Sequence, residues 1–466
     1  MVRVFRHYFP RSLLLLALTE GLIFLGAIYL GRFIRIYTTP YNMSTPGFFE
    51  FLPQALTFMV VMLAIMTGMG LYERNFWDGK IDMILRVTVS FLLGLFLMTL
   101  IYYMFPALYV SRAEFSYSFT AAFAGVFIAR FVFLHVSDQE LFRRRILVLG
   151  TGVKARELEK LIGDTDNPGF HMVGYVPLPG ETGVVNSNKF VSLEEGTSVY
   201  QLTEALQVDE ILATVDDQDP GFPVHAVLEC KVRGVEVSNF LTFYERETGK
   251  IHLDDLCPSN MIFSDGFHQA GIKSTSKRLF DVLASLLLLL LTWPVMLLAA
   301  LAIWMESGGP ILYRQERVGK DEQVFQVLKF RSMRVDAERD GVAKWAQQND
   351  NRITRVGNFI RKTRIDELPQ IINVLRGNMS FVGPRPERPQ FVQELSETIP
   401  FYSMRHRVNP GITGWAQICY PYGASEEDAR EKLQYDLYYI KNYSLFLDLM
   451  VLLQTAYVIM WGKGAR

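Results

Sequence analysis

The sequence predicts a membrane protein of α plus α/β class. Its expected parts are a four-helix transmembrane bundle, a Rossmann-like α/β domain, and an α/β domain anchored by a re-entrant membrane hairpin. Three observations carry this reading. Four apolar stretches of near-span length occupy the first third of the chain. A strand, a glycine turn and a helix start follow near residue 145. A fifth apolar segment, interrupted by proline, opens a C-terminal third dense in charged motifs. The 466 residues suffice for roughly three domains of about 150 residues each. The expected bounds are 1–140, 141–265 and 266–466.

The four stretches run Ser12–Gly31, Phe51–Tyr72, Val87–Phe105 and Phe115–Val136. Each approaches the roughly 20 residues that cross a bilayer core. The first lacks a small-residue cleavage site and is followed by three like it, so it reads as a span and not a signal peptide. A hydrophobic content of 50% and a mean hydropathy of +0.16 agree with membrane content. Arg3, Arg6 and Arg11 precede the first span, and Arg143, Arg144 and Arg145 follow the fourth. Basic residues favour the cytoplasmic side, so both ends of the bundle are expected there. Arg32 and Arg35 fall on the opposite side in this scheme. Glu20 and Arg130 are the intramembrane charges, each a functional candidate by default. Arg130, close to a span end, reads as snorkelling, and Glu20 as facing the bundle interior.

The middle segment begins with Arg145-Ile-Leu-Val-Leu-Gly150-Thr-Gly152-Val-Lys-Ala155, a GxGxxA pattern on a strand-to-helix turn. Glycines there let a backbone approach a phosphate at a helix N-terminus. Met172–Val176 and Glu210–Thr214 read as further parallel strands, and Tyr200–Gln207 as part of a crossover helix. The second strand ends in Val176-Pro177 and not in the acid that would hold a ribose. No Tyr stands four residues before a Lys, so the dyad of short-chain dehydrogenases and epimerases is missing. A degenerate or regulatory domain is the expectation.

The fifth apolar segment, Val282 to Met305, is interrupted at Thr292-Trp293-Pro294. Lys273, Lys277 and Arg278 precede it, while Arg314, Arg317 and Lys320 follow it. Basic flanks on both sides predict that a re-entrant helix, 279–305, enters and leaves on one face with its break at Pro294. A Pro-kinked span is the alternative.

The stretch RKTRIDELPQIINVLRGNMSFVGPRPERP, 361–389, sets Asp366 beside Glu367 at an expected helix start. Pro369 is tolerated only in a first turn, and Gly377 reads as the stop. Neighbouring carboxylates repel, and cations or a metal offset that charge. Arg361, Lys362 and Arg364 supply part of the offset, while phosphates with Mg²⁺ would explain the rest. An acidic pair answering a helix macrodipole is the plain alternative for Asp-Glu alone. The GPRP turn that follows, presenting Arg385 between prolines, weighs against it.

Net charge is −1, so any basic site must be local, and no nucleic-acid partner is expected. Cys230, Cys257 and Cys419 form no CxxC, which predicts free thiols in a reducing compartment.

From Lys277 the order of features is KRLFD (277–281), GGPILYRQERVG (308–319), KFRSM (329–333) and NDNRITRVGNFIRKTRIDELPQ (349–370). FVGPRPERP (381–389), RVNPGITGWAQICY (407–420) and YDLYYIKNYSLFLDL (435–449) complete it. This ordered set closely resembles the bacterial sugar transferase domain of the polyprenyl-phosphate sugar-phosphotransferases, the monotopic phosphoglycosyl transferases. The first two-thirds resembles the large form of that family, with four transmembrane helices and a CoA-binding-like Rossmann domain.

The resemblance implies transfer of a hexose 1-phosphate from a UDP-sugar to polyprenyl (undecaprenyl) phosphate, releasing UMP. This would prime an exopolysaccharide or another surface glycan on the cytoplasmic face of a bacterial inner membrane. It implies Asp366 as the nucleophile that forms an aspartyl phosphosugar, and Glu367 as its helper with Mg²⁺ or with a proton. Arg361 matches a phosphate-binding arginine of the family, Lys329, Arg331, Arg352 and Asp436 match other polar positions of its site, and Arg385 looks like part of a uridine or phosphate pocket. Pro294 matches its helix-breaking proline, while Trp293 stands where a serine is common. A membrane homodimer follows by analogy. Glucose or galactose is the usual sugar of the large form.

Each residue also has a plainer reading. Lys329 and Arg331 can be a solvated strand face, Arg385 a tie for a proline turn, and Asp436 a structural partner. His406 reads as structural, and Tyr435, Tyr438, Tyr439 and Tyr443 as a core or interfacial stripe. Two other functions compete. One is a non-catalytic membrane scaffold or sensor of glycan assembly, against which the Asp-Glu pair and its cations count. The other is a nucleotide-sugar dehydratase or epimerase, against which the missing dyad and strand-two acid count.

Overall fold

A computed structural model describes residues 2–4, 7–38, 48–72, 80–137, 143–163, 169–179, 181, 184–186, 189–191, 198–215, 221–263, 266–267, 271–334, 352–420, 423 and 425–460. Arg6, positions 349–351 and the GKGAR end lie outside the described residues, as do positions 140 and 265, where domain boundaries are expected. The chain separates into two compact units. One is Met1–Val2, Pro10–Leu16 and Gly125–Asp255, and the other is Arg3–Phe9, Ala17–Ala124 and Leu256–Arg466.

Two short paired strands, β1 (Val2–Val4) and β2 (His7–Phe9), precede four helices. These are α1 (Arg11–Thr38), α2 (Leu52–Gly68), α3 (Lys80–Met104) and α4 (Arg112–Ser137). With a later helix at Gly271–Ser307, five helices among the described residues are long and apolar enough to cross a membrane. On α1, Phe24, Ala27 and Ile28 are buried, whereas Leu18, Leu22 and Leu30 are exposed. Apolar residues all round a helix, with only one face against protein, are what a lipid-facing helix requires. Phe24, Phe58, Phe91 and Phe119, one from each helix, meet in ring pairs 5.2 to 6.5 Å apart. Glu20 is buried and accepts a hydrogen bond from the Tyr72 hydroxyl, so it faces protein. Both arginines on the unexpected side have partners. Arg35 pairs with Glu114 at 3.4 Å, and the Arg32 guanidinium lies 4.5 Å from the Phe51 ring centre. Such pairing lowers the cost of these two charges, which a charge count along the sequence does not register.

The α/β unit alternates β3 (Arg144–Leu149), α5 (Val153–Gly163), β4 (Phe170–Val176), α6 (Val199–Ala205), β5 (Glu210–Ala213), α7 (Val224–Val232), β6 (Glu236–Asn239) and α8 (Phe240–Thr248). Its sheet has the order β4-β3-β5-β6 and every pairing is parallel. Ile146 through Leu149 have no exposed surface, as expected of a parallel strand covered on both faces. The order reverses beside β3, which sets the Gly150 turn at the topological switch point of a doubly wound sheet. A buried charge cluster closes one end. Glu210 accepts from Arg144 at 2.7 Å and from Arg246 at 2.7 and 2.8 Å. Arg144, read from sequence as a membrane flank, therefore belongs to the sheet.

The C-terminal part begins with α9 (Pro258–Phe263) and α10 (Gly271–Ser307), followed by the antiparallel hairpin of β7 (Leu312–Val318) and β8 (Val324–Phe330). Next come α11 (Arg355–Lys362), a 3₁₀ turn Ile365–Glu367, α12 (Gln370–Arg376) and β9 (Ser380–Val382). Then α13 (Pro389–Thr398), β10 (Gly411–Thr413), α14 (Trp415–Cys419), α15 (Glu426–Asn442) and α16 (Leu445–Met460) complete it. β10 pairs with β9 in parallel.

α10 stays helical through Pro294, where the sequence predicts a break. Proline withholds one backbone N–H, and one turn before it Thr292 Oγ1 donates to the Leu288 carbonyl at 2.7 Å. Both ends of α10 are tied to the same part of the chain. At its start, Lys277 donates to Asp448 at 2.8 Å and to the Val382 carbonyl at 3.1 Å, and Asp281 accepts from Ser380 Oγ at 3.0 Å. At its end, Glu306 accepts from the Arg355 and Val356 amides at 2.9 and 3.0 Å. Between them Leu286, Leu287, Leu290, Leu291, Leu297 and Leu298 are exposed.

Candidate active site

The acid pair is positioned by three local devices. Thr354 caps α11 by accepting from the Gly357 amide, and Gly357 packs so closely on the Ser332 carbonyl that any Cβ would clash. That contact holds α11, and Arg361 near its end, against the strand that carries Lys329. Arg364 adopts φ 58°, a left-handed conformation that non-glycine residues rarely hold. The chain thereby turns sharply, and the 3₁₀ turn presents Asp366 and Glu367 before the next helix. Asn373 of α12 then fixes the distance to β8, with Oδ1 accepting from Leu328 N at 3.0 Å and Nδ2 donating to Gln326 O at 2.7 Å. The acid pair thus precedes α12 and does not start it, and Pro369 is its N-cap. Gly377, at φ 90°, is the stop that the sequence predicts.

Glu367 Oε1 receives three cations: Arg385 Nη2 at 3.1 Å, Lys329 Nζ at 3.2 Å and Arg364 Nη1 at 3.5 Å. Burial alone would raise this carboxyl, but Lys329, Arg385 and Arg364 hold it well below the usual carboxylate range. Asp366 experiences the opposite balance. Burial pushes it up to about 6, with the Glu367 charge adding to that, against Lys329, Arg364 and Arg361. Its Oδ1 is buried and, among the described residues, has no hydrogen-bond partner. Burial lowers the Lys329 ammonium, Glu367 opposing it.

These groups line a cavity of about 860 Å³ that also takes in Arg352, Arg361, Arg331 and Asp436. Nη1 of Arg361 is buried without a hydrogen-bond partner among the described residues, as are Nε and Nη1 of Arg331. Unsatisfied guanidinium donors around an acid pair fit anionic oxygens, since each would otherwise cost its full desolvation. The cavity wall continues into apolar side chains, Leu288 of α10 and Leu452 and Val458 of α16 among them.

Two residues read as substrate ligands have structural bonds. Arg331 Nη2 donates to the Ser307 and Gly308 carbonyls at 3.0 and 2.7 Å, so it caps the end of α10. Asp436 is buried against Arg405 at 2.9 Å, and Arg405 in turn donates to the Arg385 carbonyl at 3.0 Å and to the Tyr402 hydroxyl at 2.6 Å. Asp436 therefore supports the backbone of Arg385. Burial pushes the Asp436 carboxyl up to about 6 despite the Arg405 charge, so above pH 6 the wild type carries the cost of that buried charge. Asp436→Asn should then melt at or above the wild type at pH 8 when the detergent-solubilised protein is heated, and a lower melt would contradict this.

His406 is buried, and burial with the neighbouring Arg405 charge lowers it to about 4. Tyr438 and Tyr439 are buried, and the Tyr439 hydroxyl donates to Asp448 at 2.7 Å and to the Val382 carbonyl at 3.0 Å, which makes them core residues. Sequence reasoning passed over Gln417, whose Oε1 accepts from Arg385 at 3.1 Å, and Arg317, which lines the cavity. Gln417 lies inside the RVNPGITGWAQICY motif, a polar residue in an otherwise apolar helix start, and that was the available signal.

Residues 272–462 match the family model described as bacterial sugar transferase. The chain is 41% identical over 263 residues to the UDP-N-acetylgalactosamine-undecaprenyl-phosphate N-acetylgalactosaminephosphotransferase of Aeromonas hydrophila, covering 56% of this chain and 61% of that protein. It is 44% identical over 198 residues to the UDP-glucose:undecaprenyl-phosphate glucose-1-phosphate transferase of Escherichia coli (strain K12), covering 42% of each. It is 31% identical over 349 residues to the enzyme of that same name from Xanthomonas campestris pv. campestris, covering 71% of this chain and 69% of that one. The chain belongs to the bacterial sugar transferase family. It spans less than two thirds of the first two of these relatives.

The site's pH behaviour follows from Asp366. A reaction that uses the ionised Asp366 carboxylate should show kcat/KM rising with pH through a limb near 6 and levelling off above it. A pH–rate profile flat from pH 5 to 8 would contradict this.

Proposed function

We propose that this protein transfers a sugar 1-phosphate from a UDP-sugar to undecaprenyl phosphate, priming an exopolysaccharide or another cell-surface glycan. The observation that carries the reading is the division of labour in the acid pair: Glu367 bound by three cations, Asp366 buried beside it with an oxygen that has no hydrogen-bond partner among the described residues. Asp366 attacks the sugar-bearing phosphorus of the UDP-sugar, the bond from that phosphorus to the bridging oxygen breaks, and UMP departs. The polyprenyl phosphate oxygen then attacks the same phosphorus and displaces the Asp366 carboxylate, leaving a lipid-linked sugar diphosphate. Splitting one hard displacement into two in-line steps is the gain from a covalent nucleophile. Arg361, Arg385, Lys329 and Arg352 line the cavity and supply positive charge where phosphoryl oxygens gather it.

Asp366 Oδ1 is a hard oxygen donor with no hydrogen-bond partner among the described residues, which suits it to hold Mg²⁺; Glu367 contributes charge beside it. Mg²⁺ bound there would neutralise the diphosphate and polarise its oxygens.

The lipid acceptor requires the site at a bilayer surface. A domain on one side of a membrane cannot hold both ends of a helix that crosses it. The ties at Lys277, Asp281 and Glu306, with exposed leucines between, therefore support α10 as a re-entrant anchor around Pro294. The remaining parts complete the proposal as four transmembrane helices and an α/β domain, with the site on the cytoplasmic face of the inner membrane. The test is UMP release from UDP-glucose, UDP-galactose and UDP-N-acetylgalactosamine by the purified protein in lipid. Release with one donor, dependent on undecaprenyl phosphate and Mg²⁺, is expected. Lipid-independent release, or none, would overturn the proposal.

A further inference from the structure

The glycine turn of the α/β unit has the sequence form of a phosphate cradle, yet a side chain of the same chain stands in it. Glu181 Oε2 accepts from the Thr151 amide at 2.8 Å, from Thr151 Oγ1 at 3.3 Å and from the Leu178 amide at 3.5 Å. Its other oxygen lies over both fingerprint glycines: a Cβ on Gly150 would come to 3.1 Å from Oε1, and one on Gly152 to 3.5 Å. Gly150 has φ +112°, open to glycine alone, so the turn keeps the backbone geometry that brings amides against an anion. A backbone bond holds the same chain segment there, Val184 N to the Thr151 carbonyl at 2.8 Å. Thr151 itself is fully buried. In dinucleotide-binding folds the second glycine exists so that the pyrophosphate can approach the backbone. Here a carboxylate makes that approach. The strand that would present an acid to a ribose ends instead at Val176, whose carbonyl accepts from Gly150 N at 2.9 Å.

We propose that the glycine turn of the α/β unit is an anion site filled from within, the Glu181 carboxylate standing where a dinucleotide's pyrophosphate would, so that the unit takes no dinucleotide while Glu181 is in place. The inference is independent of the transferase reading. It accounts for a fold and a turn that look built for a nucleotide in a chain whose chemistry lies elsewhere.

The test is hydrogen–deuterium exchange of the full-length protein in lipid nanodiscs, read on the peptide that covers residues 149–156. This local readout is separate from any binding of phosphates at the Asp366 cavity. In the wild type, millimolar NAD or inorganic pyrophosphate should leave exchange in this peptide unchanged. Glu181→Ala should speed exchange of the Thr151 amide about tenfold or more, because a charge-assisted bond is lost. Pyrophosphate should then slow it again by occupying the vacated turn. Protection of the wild-type peptide by NAD or pyrophosphate would overturn the proposal, as would a Glu181→Ala turn that ignores pyrophosphate. Glu181→Gln, which keeps the shape and removes the charge, guards against a folding defect. It should fall between the other two, and exchange identical to the wild type would also overturn the proposal.

Discussion

Asp366→Asn should abolish UMP release, lowering kcat by about a thousandfold or more, while the protein remains folded in the membrane. The amide keeps the shape of the carboxylate but cannot attack phosphorus. Removing the charge should also stabilise the fold at neutral pH. The sign follows from the direction of the shift. Asp366 is raised to about 6, so its contribution to stability is complete below the unfolded value of about 3.9 and is lost as pH rises through 6. At pH 8 the wild type carries the full cost of a charge that burial and Glu367 disfavour. The variant should therefore melt higher there by an amount equivalent to about 2 kcal/mol, and the difference should vanish near pH 4. Activity and melting measured on one preparation separate the two effects. An inactive variant that is also destabilised at pH 8 would mean that Asp366 is held by contacts this account does not include.

Glu367→Gln should cost both stability and activity. Three cations converge on one oxygen of Glu367, and without its charge Lys329, Arg385 and Arg364 repel one another. Lys329 is the most buried of the three, whereas Arg364 and Arg385 are partly exposed and are screened by solvent. A loss of about 2 kcal/mol at pH 7 is expected, below the range for a wholly buried pair. Glu367 is held below its usual range, so its contribution is complete above about 4.3 and disappears as pH falls through the lower folded value. The wild type and Glu367→Gln should accordingly converge in stability only in strong acid. Activity should fall by about a hundredfold as the Arg385 and Lys329 side chains lose their anchor, with much of the fall in KM for the UDP-sugar. A variant with unchanged KM and unchanged melting would show that the three cations are held by other means.

Much of this site was legible because its chemistry is written locally. Asp366, Glu367 and Arg364 are nearly consecutive, and the proline and glycine that bound the helix after them mark its ends in the sequence. The α/β unit was readable for the same reason, its strands being short apolar runs between turn signals. What remained hidden depends on contacts between distant segments. Arg331 looks like a site residue in KFRSM, but its bonds go to the end of α10, more than twenty positions earlier. Asp436 supports the site through Arg405 and does not line up with the acid pair directly. Glu181 lies some thirty residues beyond the turn it fills, in a segment with no motif of its own. At Pro294 the interruption read from the sequence is a proline within one helix and not a gap between two helices.

The most direct measurement is the mass of the Asp366 peptide after the protein is mixed with a UDP-sugar and Mg²⁺ without polyprenyl phosphate, then quenched and digested. This peptide should gain one sugar phosphate, the gain should disappear when the lipid acceptor is added, and Asp366→Asn should never show it. An unmodified Asp366 peptide in a preparation that turns over with the complete substrate mixture would contradict this, leaving direct transfer between the two substrates as the mechanism.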